Sequence, residues 1–271
     1  MTSSDDIGVD TALAFAERLA EAAAAETMPR FRGGIAVDNK ARRGFDPVTE
    51  ADREAERVQR ELIVAHHPHH GILGEEFGTQ HPSAQWRWVL DPIDGTRAFI
   101  CGIPSWTTLI ALERDAQPFV SVIDQPYTGE RWLGSLEETT FRGPGGIRPA
   151  RTSGCTELSR ARLSTTDPRA TGYFTADEVT RFDRLAASTA VARFSLDAYA
   201  YALLSVGELD VVMESGLAHY DYAALAPVIR GAGGVITDWS GAAFSAEAGG
   251  RTLAAATPEL HAAALRALND G

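Results

Sequence analysis

The chain has 271 residues, 44% of them hydrophobic and 23% charged. That suits a globular enzyme of one large domain or two closely packed halves. A formal net charge of −12 argues against a nucleic-acid surface, which needs clustered Lys and Arg. Cys101 and Cys155 are the only cysteines and have no metal-ligand spacing, which argues against a zinc site or a disulfide framework.

The N-terminal Met-Thr-Ser-Ser-Asp-Asp lacks the basic-then-apolar order of a signal peptide. No apolar run approaches the ~20 residues of a membrane span, so a cytoplasmic protein with no membrane partner is expected. The first helix is predicted from about residue 10 to 28. Leu13, Ala16, Leu19, Ala23 and Thr27 lie three or four apart, and Pro29 ends the pattern. A second helix opens at Thr49 and stops before Pro68, with Ala51, Ala55, Val58, Leu62 and Ala65 as its apolar stripe. Thr49 and Asp52 make a capping-box pattern, with Asp in place of the usual Glu or Gln.

Strands are predicted at 86–90, 107–112, 119–123 and 131–133. The stretch from Arg142 to Pro149 is the richest in Gly and Pro and is the candidate junction. It divides the chain into an N-terminal α+β half, 1–145, and a C-terminal α/β half, 146–271. Beyond it, strands at 161–164, 191–194, 209–213 and 235–238 alternate with helices at 176–188, 197–206, 221–231 and 258–268, the last capped by Thr257. Such alternation gives a layered α/β architecture.

The chemistry concentrates in Trp88-Val-Leu-Asp91-Pro-Ile-Asp94-Gly-Thr96. An apolar strand delivers Asp91 to a turn through Pro92 and Gly95, across which Asp91 and Asp94 can face one point. Alone, an Asp-Gly turn is equally explained by backbone preference. Gly74-Glu75-Glu76 follows a strand-like Gly71-Ile-Leu and offers further oxygens, or is a solvated acidic loop. Asp221 sits among Tyr220, Tyr222, Ala223, Ala224 and Leu225, as a ligand or as a helix N-cap. Together these make a carboxylate cluster without His or Cys, which suits Mg²⁺ rather than zinc.

Glu75-Glu76, Asp91-Pro-Ile-Asp-Gly-Thr96, Asp221 before Ala223-Ala224, and Gly231-Ala-Gly-Gly234 together resemble the signature of the inositol monophosphatase family. Pro47-Val-Thr-Glu-Ala-Asp52 is similar to its upstream element, and the resemblance runs along nearly the whole chain. Within the family the sequence is most similar to the histidinol-phosphate phosphatase branch. Gly71-Ile-Leu-Gly-Glu-Glu, Thr96-Arg-Ala-Phe-Ile-Cys-Gly-Ile-Pro and Tyr220-Asp-Tyr-Ala-Ala-Leu carry that likeness. It departs at Ser195-Leu-Asp-Ala-Tyr199, where a Gly and a Cys are common in the branch.

The resemblance implies a layered αβαβα sandwich and hydrolysis of L-histidinol phosphate by direct attack of a metal-activated water. Inositol-1-phosphate, or a sugar or nucleotide phosphate, is the alternative substrate, and a catalytically silent binder on the same fold is a second alternative. It implies two or three Mg²⁺. Glu75, Asp91 and the carbonyl of Ile93 hold one ion, and Asp91, Asp94 and Asp221 a second. Thr96 orients the attacking water, Asp52 accepts the Thr96 hydroxyl, and Glu75 completes the catalytic set. Gly95 and Thr96 open a helix whose N–H groups face the phosphate. Glu214 and Asp197, near Tyr199 and Tyr220, meet the leaving group; Asp197 read simply is a helix N-cap, and Glu214 an exposed strand-end carboxylate. A homodimer is also implied.

Overall fold

The computed structural model describes residues 7–34, 36–39, 47–170, 172–247 and 249–269; the six N-terminal residues read above lie outside them. In chain order it contains α1 (Val9–Thr27), β1 (Val37–Asn39), β2 (Pro47–Thr49), α2 (Glu50–His66), β3 (Gly71–Gly74), β4 (Gly78–Gln80), β5 (Trp86–Asp94) and α3 (Thr96–Ile100). Next come β6 (Thr107–Arg114), β7 (Gln117–Gln125), β8 (Glu130–Ser135), β9 (Thr139–Gly143) and β10 (Gly146–Pro149). After these lie β11 (Arg162–Thr165), α4 (Ala176–Ala187), β12 (Val191–Phe194), α5 (Ala198–Ser205) and β13 (Val211–Glu214). The chain closes with α6 (His219–Ala223), α7 (Leu225–Gly231), β14 (Val235–Thr237), β15 (Thr252–Ala255) and α8 (Pro258–Asn269).

These elements stack in the five expected layers. An eight-stranded sheet has the order β10-β9-β8-β7-β6-β5-β3-β4, and a five-stranded sheet the order β12-β11-β13-β15-β14. The apolar stripe of α1, with Phe15, Ala16 and Leu19, packs with Ile63 of α2 against Trp88, Leu90 and Ile110 on one face of the first sheet. Between the sheets, α5 and α7 bury Tyr201, Leu225 and Val228 against Leu109 and Ile123 of the first sheet and Val212 and Ala254 of the second. The outer layer, α4 and α8, covers the far face through Phe182, Leu185, Leu260 and Leu268.

Several elements depart from the sequence reading for identifiable reasons. The Gly- and Pro-rich stretch is the β9–β10 hairpin, so the first sheet runs to Pro149. The single helix predicted over 221–231 is two helices broken at Ala224. Pro227 explains the break, because it has no N–H for the carbonyl of Ala223 and its ring crowds that carbonyl. The capping box of α2 forms as read: the Thr49 N–H donates to Asp52 Oδ2 at 2.8 Å, and the Ala51 N–H to Thr49 Oγ1 at 3.1 Å.

Candidate active site

Parallel pairing places the first two carboxylate sources together. β3 runs parallel to β5 with Gly74 opposite Leu90, so the residues that follow, Glu75 and Asp91, leave the same end of the sheet. The Glu75 N–H donates to the Leu90 carbonyl at 3.2 Å. The turn beyond is held from below by Glu56, whose buried carboxylate accepts from the N–H groups of Glu76 at 2.7 Å and Phe77 at 3.2 Å. Arg60 neutralises it at 2.7 Å. Glu76 gives its N–H to this tie and is not among the residues that line the cavity described below.

In a regular strand residues three apart point to opposite faces, which would separate Asp91 from Asp94. The strand is not regular. Asp91 pairs with Leu109 and Asp94 with Thr107, so the register shifts between them. The extra residue is a bulge, pinned by the Thr108 hydroxyl donating to the Pro92 carbonyl at 2.8 Å, and it turns both carboxylates to one side. Where the sequence suggested a turn after Leu90, the structure therefore has a bulged strand running to Asp94.

Asp221 arrives from the other half of the chain. It occupies the first turn of α6, its Oδ2 accepting from the Ala218 N–H at 2.7 Å, so its role in the helix is to reach back rather than to stand at the N-cap. Oxygens of Asp91, Asp94 and Asp221 all lie within 4.8 Å of one another. Burial holds all three protonation equilibria high, with Glu75 and the neighbouring aspartates adding to the effect. Asp91 and Asp94 are pushed well up, and Asp221 to about 7. Carboxylates crowded in a largely buried site with oxygen as the only donor fit a hard divalent cation, which would relieve the repulsion.

The threonine lies where the sequence reading puts it. Thr96 opens α3, and its hydroxyl is 3.0 Å from the Ile93 carbonyl and 3.4 Å from Asp52 Oδ1. Asp52 divides its two oxygens, Oδ2 capping α2 and Oδ1 facing Thr96, and burial raises its carboxyl to about 6. Gly95 precedes with φ 83°; a Cβ there would stand 3.0 Å from Asp197 Oδ2. Ile93 is buried, with its N–H donating to Asp91 Oδ1 at 3.1 Å.

Glu75, Asp91, Ile93, Asp94, Gly95, Thr96 and Asp221 line one cavity of about 260 Å³, which also includes Asp197 and Glu214; Asp52 stands behind Thr96. Asp197 sits at the N-cap position of α5 but makes no cap bond. Its carboxyl is raised to about 6 by burial, against the pull of the Arg97 guanidinium and a hydrogen bond from Thr166. Glu214 is buried, not exposed: Oε1 accepts from the Thr166 N–H at 2.7 Å and hydroxyl at 2.9 Å, and Oε2 from Thr165 at 3.3 Å. Burial pushes its carboxyl to about 8. Tyr199, expected nearby, points elsewhere and donates to Glu130 at 2.6 Å; Tyr201, two residues on, lines the cavity together with Tyr220.

Sequence reasoning missed Arg97, Thr166 and Tyr173. Arg97 stacks over the Tyr173 ring at 4.8 Å and is the one basic residue among those lining the cavity. Its adjacency to Asp94-Gly-Thr96 was a usable signal. Thr166 and Tyr173 lie in connections and carry no local signature.

A bulged strand presenting two aspartates, a third from a helix across the layers, and a threonine backed by a buried aspartate make an acidic cluster that could hold a divalent cation beside a hydroxyl. The sequence profile of the inositol monophosphatase family matches residues 9–271, and the chain belongs to that family of phosphatases. Over 97% of its length it is 39% identical to the bifunctional phosphatase IMPL2, chloroplastic, of Arabidopsis thaliana, covering 76% of that protein. It is 34% identical to a histidinol-phosphatase of Mycobacterium tuberculosis over 99% of this chain and 100% of the other. Among solved structures, an inositol monophosphatase from Zymomonas mobilis superposes with a TM-score of 0.85 at 39% identity, covering 97% of this chain and 99% of that one.

Proposed function

We propose that this protein is a Mg²⁺-dependent phosphomonoesterase that hydrolyses L-histidinol phosphate to L-histidinol and phosphate. Glu75, Asp91, Asp94, Asp221 and the Ile93 carbonyl would hold two or three ions, which supply Lewis acidity toward the phosphoryl group and water. The chain's own residues do the rest. Thr96 orients the attacking water, with Asp52 as acceptor behind its hydroxyl and Glu75 beside the attack path. Gly95 leaves room for the phosphate because it has no side chain.

The observation that carries the substrate is the pair Asp197 and Glu214, two carboxylates in the cavity beyond the metal cluster. A leaving group bearing an ammonium and an imidazole complements them, and Tyr201 and Tyr220 offer aromatic walls. The 34% identity to a histidinol-phosphatase over nearly the full length of both chains supports the same reading.

A second reading, inositol phosphate hydrolysis, draws on the three hydrogen bonds that already occupy Glu214 and on the Zymomonas structure. A panel of histidinol phosphate, inositol-1-phosphate, a sugar bisphosphate and a phosphoadenosine nucleotide separates them by kcat/KM. The expected result is a preference for histidinol phosphate of about tenfold or more, the size of one charge-assisted contact. A preference for inositol-1-phosphate overturns the substrate and leaves the metal site standing. The assembly we propose is a cytoplasmic homodimer, readable by sedimentation equilibrium.

A further inference from the structure

Asp221 is the one member of the Asp91, Asp94, Asp221 cluster that comes from the C-terminal half. The cluster therefore holds its spacing only while α6 keeps its place against β5. The helix is poorly equipped to do this alone. It has five residues, and Ala218 at its N-cap position supplies no side-chain cap bond; so short a helix gains little from its own hydrogen bonds.

A side-chain tie supplies what the helix lacks. His219, the first residue of α6, has Nε2 2.6 Å from Glu113 Oε1. Glu113 lies on β6 and is wholly buried. Its other oxygen accepts from Arg87 Nε at 3.0 Å and Nη2 at 2.6 Å. Arg87 and Glu113 are register partners on adjacent strands, and Arg87 stands on β5, the strand that ends in Asp91 and Asp94. A continuous path of bonded groups thus joins the strand carrying two of the aspartates to the residue two before the third.

We propose that His219, braced by Glu113 and Arg87, is a positioning residue that holds Asp221 against Asp91 and Asp94 and so sets the affinity of the site for a divalent cation. This rests on the metal-site reading above. The tie needs only a hydrogen on Nε2, which that neutral tautomer and the imidazolium both carry. Arg87 keeps its two bonds to Glu113 when His219 is lost, so the buried carboxylate stays paired and the fold is expected to stand.

The test is Mn²⁺ titration of the chelator-treated full chain, followed by electron paramagnetic resonance, on the wild type, His219→Ala and His219→Gln, with Tm measured for each. Changes to groups that orient metal ligands typically cost ~10–100-fold in affinity. His219→Ala is expected to weaken Mn²⁺ binding about tenfold or more with little change in Tm. His219→Gln, whose amide can still donate to Glu113, should recover most of the loss. Wild-type affinity in His219→Ala, or equal losses in both variants, overturns the brace alone. A wild-type chain that takes up no Mn²⁺ overturns the metal-site reading and the brace with it.

Discussion

Thr96 meets two acceptors with a single hydroxyl hydrogen: Ile93 O at 3.0 Å and Asp52 Oδ1 at 3.4 Å. The residue lines the cavity, and with its hydrogen given to an acceptor the hydroxyl oxygen can itself accept from a water. A group that orients the nucleophile matters chiefly in the transition state. Thr96→Ala should therefore lower kcat by roughly 10- to 100-fold while KM moves little, read from steady-state kinetics at saturating Mg²⁺. A change confined to KM would assign Thr96 to substrate binding instead. Residues of this kind were legible in the sequence because their spacing is local: Asp91, Asp94 and Thr96 fall within one short segment. Thr166 and Tyr173 were not, because they join the site only after the end of β11 and the connection to α4 are brought to it by the fold, whereas Arg97, next to Thr96, had a local signal that went unused. Tyr199 shows the converse. Its position on α5 was read correctly, but neighbouring residues on a helix face different ways, and the cavity receives Tyr201.

The turn between β3 and β4 is an element built around a missing side chain. A Cβ on Gly74 would fall inside the Glu56 carboxylate, which is itself committed to the Glu76 and Phe77 N–H groups and to Arg60. Gly74→Ala must push that carboxylate away and release the turn that presents Glu75. The expected cost is ~1–3 kcal/mol of stability, seen as a lower Tm together with a higher Mg²⁺ requirement. A variant with wild-type Tm and wild-type Mg²⁺ dependence would show that the Glu56 clasp does not position Glu75. Elements with clear periodicity or caps, such as α1, α2 and α8, were readable from sequence to within a residue or two. β15 was missed because Thr252-Leu-Ala-Ala is short, fully buried and has no alternation to read. The bulge in β5 was read as a turn because Pro and Gly punctuate both; only pairing with β6 distinguishes them.

For the whole molecule, the site falls where β5 of the first sheet meets α3, α5 and α6, so neither sheet supplies it alone. The layered fold was legible from the order of strands and helices, whereas the shared middle layer was not, since it depends on which face each helix covers. We propose that the two halves divide after Pro149, a few residues beyond the expected boundary, which keeps the β9–β10 hairpin whole. None of the helices among the described residues is long and apolar enough to cross a membrane.

At the centre of the proposed function is a divalent-cation site formed by Asp91, Asp94 and Asp221, on which phosphate release depends. It is tested most directly by measuring phosphate release from histidinol phosphate after exhaustive chelation, during readdition of Mg²⁺, for the wild type and for Asp94→Asn. Asp94 bonds the Ala198 N–H at 2.7 Å, a bond that Asn can keep through its carbonyl, so the variant should stay folded while losing a charged ligand. No turnover is expected without metal, with recovery in Mg²⁺ for the wild type, and activity at least ~100-fold lower in Asp94→Asn with an unchanged circular dichroism spectrum. Full activity in the chelated wild type, or near-normal kcat in Asp94→Asn, would contradict it.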